Sequence, residues 1–91
     1  MLSWPSKDPD ERLDYRLNWT GPLEGDLIAN SVWTLSSNTG LTISANSFSN
    51  TVATVWLANG DIGKTAHVTN TITTQAGRIF TQTVTLLIRT I

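Results

Sequence analysis

Ninety-one residues, 40% of them hydrophobic, define one domain with a single modest core and argue against disorder. A formal charge of −1 leaves no basic stripe for nucleic acid, and the absence of cysteine excludes disulfides and thiol chemistry. No stretch approaches the roughly 20 apolar residues of a membrane span, and the first residues lack the charged start and apolar run of a signal peptide. A soluble protein folded in a reducing cytosol, without an export signal of its own, is the expectation.

In chain order, residues 1–11 read as an N-terminal arm containing Trp4, Pro5 and Pro9, because proline cannot donate to a sheet ladder. Residues 12–91 read as a single β-sandwich domain. Leu13, Tyr15, Leu17 and Trp19 alternate with polar residues and predict the first strand. The Gly21–Asp26 stretch is a turn. Leu27 to Leu35 predicts a strand in which Ile28 falls on the opposite parity from Trp33 and Leu35. A bulge near Asn30-Ser31 reconciles them if all three are buried. Leu41, Ile43 and Ala45 predict a short strand, and Asn46 to Asn50 reads as a turn. Thr51 to Ala58 is a strand with Ala53, Val55 and Leu57 on one face and Val52, Thr54 and Trp56 on the other. Asn59-Gly60-Asp61-Ile62-Gly63 is a turn.

The clearest signal is the last third. Ala66, Val68 and Ile72 alternate with Thr65, His67, Thr69, Thr71 and Thr73. After Thr74-Gln75-Ala76-Gly77, Phe80, Val84, Leu86 and Ile88 alternate in turn with a threonine-rich set. A three-residue loop with Gly77 in the left-handed region sets Thr74 opposite Arg78. It then sets Ile72 opposite Phe80, Val68 opposite Val84 and Ala66 opposite Leu86. Outside, Thr71 meets Thr81 and Thr69 meets Thr83. Asn70 faces Gln82 on the inner side, where the two amides satisfy each other or mark the end of the core. The whole is an all-β sandwich of six or seven antiparallel strands, with no convincing helix period.

Chemistry is sparse. His67 is the only histidine and lies on the wet parity of its strand, so a surface role is expected and catalysis is not. Asp8, Asp10, Glu11 and Asp14 form the one hard-metal feature. Their spacing does not fit an EF-hand loop, and Lys7, Arg12 and Arg16 stand near to neutralise them. The cluster reads as solvated or subunit-facing, with calcium as the alternative. No cofactor is expected. Trp19 and Trp33 are expected in the core. Trp4 and Trp56 are expected at an interface or packed at the sandwich edge. Asn18-Trp19-Thr20 matches a glycosylation acceptor by chance.

Several pieces occur together in order: Lys7-Asp8-Pro9-Asp10-Glu11, Leu13-Asp14-Tyr15 and Trp19; Gly25-Asp26 with Ile28, Ser31 and Trp33; Val55-Trp56-Leu57 and Gly60; Val68-Thr69-Asn70, Ile72-Thr73-Thr74 and Gly77-Arg78. This set resembles a family of short structural proteins of tailed bacteriophages and prophages, described as fibre–tail adaptors. His67, where a tyrosine would be common, and Asn59-Gly60, in place of a glycine pair, depart from the pattern without threatening the fold. The resemblance implies an immunoglobulin-like sandwich. It implies a non-enzymatic virion protein, made in the bacterial host cytoplasm, that joins tail or neck to fibre or collar components. Partners are then other virion proteins, with multiple copies in the particle and no nucleic acid or membrane. A sandwich recognising carbohydrate or a host surface is the alternative. The expected contact residues are Trp4, Pro5, Lys7, Asp8, Pro9, Asp10, Glu11 and Trp56. Residues 1–11 are expected to lie along a neighbouring virion chain with Trp4 as the anchor, the alternative being that they fold back over an edge of their own sandwich.

Overall fold

Period-two patterning becomes paired strands in the computed structural model, which describes residues 2–36 and 38–89. The strands are β1 (Leu2–Ser3), β2 (Leu13–Asn18), β3 (Ile28–Leu35), β4 (Leu41–Phe48), β5 (Val52–Asn59), β6 (Thr65–Thr74) and β7 (Ile79–Leu87). A single helical turn, α1 (Thr20–Leu23), follows β2. One sheet has the order β1-β7-β6-β3 and the other β2-β5-β4. Pairing is antiparallel except where β1 runs parallel to β7. The chain changes sheet between β1 and β2, between β2 and β3, between β3 and β4, and between β5 and β6. It stays in one sheet for the β4–β5 and β6–β7 hairpins.

The inward residues meet between the sheets. Tyr15, Leu17, Ala53, Val55 and Leu57 come from one layer, and Trp33, Ala66, Val68, Ile72, Val84 and Leu86 from the other. Leu23 on α1 and Ile28 are buried at one end, Leu41 and Ile88 at the other. At that second end Gly60 has φ +119°, and a Cβ there would stand 3.0 Å from Ile88 and 3.2 Å from Leu41. Only glycine lets this turn close so near the core.

The last hairpin has the expected register at every position. Its turn is closed by Thr74 N–H to Arg78 O at 2.8 Å and Gly77 N–H to Thr74 O at 3.0 Å. Gly77 sits at φ +89°. The Thr74 hydroxyl accepts from Arg78 N–H at 3.0 Å, which ties the turn a second time. The expected bulge in β3 falls between Ile28 and Asn30, and it lets Ile28 and Trp33 share the core.

Two expectations are corrected. Residues 46–48 are strand rather than turn, because β4 runs on to Phe48. A second bulge between Ile43 and Ala45 switches the parity halfway along β4, and this hides the alternation in the sequence. Asn70 and Gln82 do stand opposite each other but do not satisfy each other. Asn70 is fully buried. Its Oδ1 accepts from Trp19 Nε1 at 3.0 Å, and its Nδ2 donates to Ser31 Oγ at 2.9 Å and Val32 O at 3.1 Å. Gln82 donates instead to Thr83 O. The core continues past Asn70, which is a polar clip between the two sheets.

Candidate functional interface

The segment ahead of β2 supplies most of the contact residues expected from sequence. In the single chain it lies on its own sandwich. Leu2 and Ser3 pair with Val84 and Thr85. Trp4 N–H donates to Thr85 O at 3.0 Å and Lys7 N–H to Leu87 O at 3.1 Å, while Arg89 N–H donates back to Lys7 O at 3.0 Å. In the single chain the segment from Leu2 to Lys7 is not a free arm but takes the alternative placement, covering the β7 edge of its own domain.

Its side chains are partly spent inside. The Trp4 ring stacks on Tyr15 with centroids 4.6 Å apart and lies 5.9 Å from Trp33. Trp4 is therefore half-buried against the core. The Tyr15 hydroxyl donates to Pro5 O at 3.3 Å. Burial pushes that phenol up to about 12, with the nearby Glu11 charge adding to the shift. Lys7 is fully buried and leaves the set of contact residues. Its Nζ donates to Asn59 O at 2.7 Å and Asp8 O at 2.9 Å, pinning the segment to the end of β5. Loss of water lowers the Lys7 pKa, against the opposing pull of Glu11, Asp8 and Asp10.

Asp8 to Glu11 form a turn held by its own side chains. Glu11 N–H donates to Asp8 O, Asp10 N–H to Asp8 Oδ1, and Asp8 N–H to Glu11 Oε1. Such capping by aspartate and glutamate is local backbone chemistry. Among the described residues no three His, Asp or Glu side chains stand close enough to share a metal ion. Pro5 and Asp10 are exposed, and Asp8, Pro9 and Glu11 are half-buried.

Trp56 projects from the outer face of β5 between Asp14 on β2 and Ala45 on β4. The Arg12 guanidinium covers it at 4.6 Å from the ring centroid, and Arg12 Nε donates to Ser44 Oγ at 2.8 Å. Nothing in the sequence marks this cation–π strap, because Arg12, Ser44 and Trp56 become neighbours only after folding. Arg16 pairs with Asp14 at 3.4 Å across an exposed surface. The four tryptophans form no common exposed platform: Trp19 and Trp33 are buried, Trp4 is stacked on Tyr15, and Trp56 lies beneath Arg12. His67 is exposed on the threonine-rich outer face of β6.

At the opposite end, Asp26 reaches the tip of the last hairpin. Its Oδ1 accepts from Leu27 N–H at 2.8 Å, and Gln75 N–H donates to Leu27 O at 2.9 Å. The Thr74 hydroxyl, the Leu27 and Ala76 amides and the Arg78 charge together hold the Asp26 carboxyl below its usual range. Exposed apolar side chains mark both ends, Ile62 at 63% exposure in the β5–β6 turn and Ile79 at 69% beside the last hairpin turn.

Residues 7–87 match the protein family described as podophage GP4 fiber-tail adaptor protein gp77. The match begins at the buried Lys7 and runs through both sheets, and the chain belongs to this family. Comparison with curated proteins finds no match.

Proposed function

We propose that this chain is a non-enzymatic structural protein of a phage virion. It joins tail or neck to fibre or collar components through protein–protein contacts. Family membership across residues 7–87 carries this reading. The protein is made in the host cytoplasm, enters the particle in multiple copies, and binds neither nucleic acid nor membrane. The strand orders β1-β7-β6-β3 and β2-β5-β4 support an immunoglobulin-like description of the sandwich.

The contact surface proposed for a tail or fibre partner is the Asp8–Glu11 turn with Pro5 and the exposed part of Trp4, continued over the Arg12-covered Trp56. The turn is already ordered by its own hydrogen bonds, so docking it costs little further entropy. Aromatic and arginine groups at its border are residue types that anchor interfaces. The carboxylate of Asp10 sets which partner and which register are accepted.

Complementation of particles lacking this chain tests the reading. Asp10→Lys and Trp56→Ala variants are expected to melt near the wild-type temperature when isolated and to enter particles poorly. Full incorporation of both variants would remove this surface from the proposal. Absence of the chain from purified virions would remove the function itself.

A further inference from the structure

We infer that the outer edge of β4 pairs with the β4 edge of a second copy of this chain. The sandwich protects its other edges in recognisable ways. The outer edge of β7 is occupied by Leu2, Ser3, Trp4 and Lys7. The β2 edge carries Asp14 and Arg16 on its outer face, beside Arg12. Charges along a strand deter the addition of another strand. The β3 edge is irregular at its start, where the bulge lies between Ile28 and Asn30 and Ile28 N–H is spent on Asn50 O at 2.9 Å.

β4 has a bulge of its own between Ile43 and Ala45, and Arg12 Nε reaches its Ser44 hydroxyl, but among the described residues no charged residue, proline or covering segment lies along it. Among the described residues only β5 pairs with it. From Leu27 to Gly60 the sequence contains no Asp, Glu, Lys, Arg or proline. Every residue from Ser44 to Asn50 is exposed. Phe48 has the inward parity of Ala53, its partner on β5, yet remains 42% exposed at this edge. An eight-residue strand with unpaired N–H and C=O groups, no charge and no proline is a template for another strand.

Charge selects the occupant. The opposite flank holds Lys7, Asp8, Asp10, Glu11, Arg12, Asp14 and Arg16. Setting that flank of one copy against β4 of the next would desolvate charges against a surface with none to answer them. The uncharged flank of a second copy carries no such penalty. Two β4 strands related by a twofold axis then run antiparallel, the hand that a self-complementary contact imposes. The three-stranded sheet becomes six strands in the order β2-β5-β4-β4-β5-β2, and the partner covers Phe48. The Arg12 guanidinium lies over the Trp56 ring and bonds Ser44 Oγ, ahead of residues 46–48 of β4.

Sedimentation equilibrium of the full chain, from micromolar to millimolar protein, tests this. The average mass is expected to double with concentration, and amides of Thr42 to Phe48 to gain hydrogen-exchange protection over the same range. The double variant Ala45→Lys, Phe48→Lys is expected to stay monomeric while keeping its dilute-solution melting curve. Should it fail to fold, Ser47→Lys, exposed on the outer parity, takes its place. Asn18→Lys on the far flank is the control and is expected to leave association intact. A wild-type chain that stays monomeric throughout overturns the inference and leaves the edge to a strand of a different protein. So does a dimer that survives the β4 substitutions.

Discussion

The two flanks of the sandwich solve the same problem differently. One flank, formed by β2 and the segment before it, holds seven charged residues within ten positions. It uses them locally: Lys7 on backbone carbonyls, Asp8 and Glu11 on their own turn, Arg12 over Trp56, Arg16 against Asp14. The other flank, β3 and β4, has no charge along its length and leaves a strand edge open. Both flanks sit on one core, so the difference does not reflect what the fold requires. A flank that satisfies its own polar groups can be solvated indefinitely. A flank that leaves backbone groups and Phe48 exposed gains more from being covered.

The largest expected effect tests how far the charged flank is part of the domain. Trp33 belongs to β3, yet Trp4 from the N-terminal segment packs against it. Trp33→Ala removes a buried indole and leaves a cavity, costing about 3–5 kcal/mol. That is a large share of the roughly 5–15 kcal/mol available to a domain. Deletion of residues 1–6 uncovers the same cluster and the β7 edge, so the isolated domain is expected to lose stability too, by less than Trp33→Ala. Chemical denaturation of both variants checks this. An unchanged midpoint for the deletion would mean that the segment adds nothing to the fold it rests on.

Legibility follows the same division. The last hairpin could be registered residue by residue because two alternating runs meet at a turn whose length fixes the pairing. The β3 bulge was legible because Ile28 and Trp33 disagree in parity and both must be buried. The β4 bulge was not, since polar residues on either side of Ala45 show no parity to violate. Sequence assigns the Lys7 charge to a partner because it shows no route by which a lysine becomes buried. That route is a pair of backbone carbonyls, one of them 52 positions away. Asn70 was placed on the inner face, but its true partner, Trp19, comes from the other sheet. Cross-strand neighbours can be inferred from register, whereas cross-sheet neighbours depend on how two twisted layers stack.

The next effect is alkaline and separates Tyr15 from the rest of the charged flank. Its phenol lies at about 12 in the folded chain against 10.0 in the open one. The folded state therefore keeps a proton that the unfolded state gives up. Stability from this group is complete below pH 10 and is lost as pH rises toward about 12, by about 2–3 kcal/mol in all. Tyr15→Phe has no proton to lose, so its stability should fall less over that range. Lys7 titrates with the opposite sense, because its pKa is lowered, but it is common to both proteins and drops out of the difference. Tyr15 is the only tyrosine, so phenolate absorbance reads the group directly. A midpoint near 10 would place the hydroxyl in water and detach Pro5 from it.

The smallest effect probes the charge that borders the uncharged stretch. Asp26 is the last charged residue before Gly60, and it faces the tip of the last hairpin. The Thr74 hydroxyl, the Leu27 and Ala76 amides and Arg78 all favour its ionised form, and they outweigh the loss of solvent that opposes it. A carboxyl held below its ordinary 3.8 adds stability above that pH and loses it as pH falls through the folded value. Asp26→Asn is nearly isosteric but removes the charge that accepts from Leu27 N–H and faces Arg78. At neutral pH it is expected to lower the melting temperature modestly. In acid the wild-type carboxyl protonates, and the two melting curves should draw together. A gap that persists unchanged into acid would assign the loss to packing, leaving the hairpin tip to be held by Gln75 N–H on Leu27 O alone.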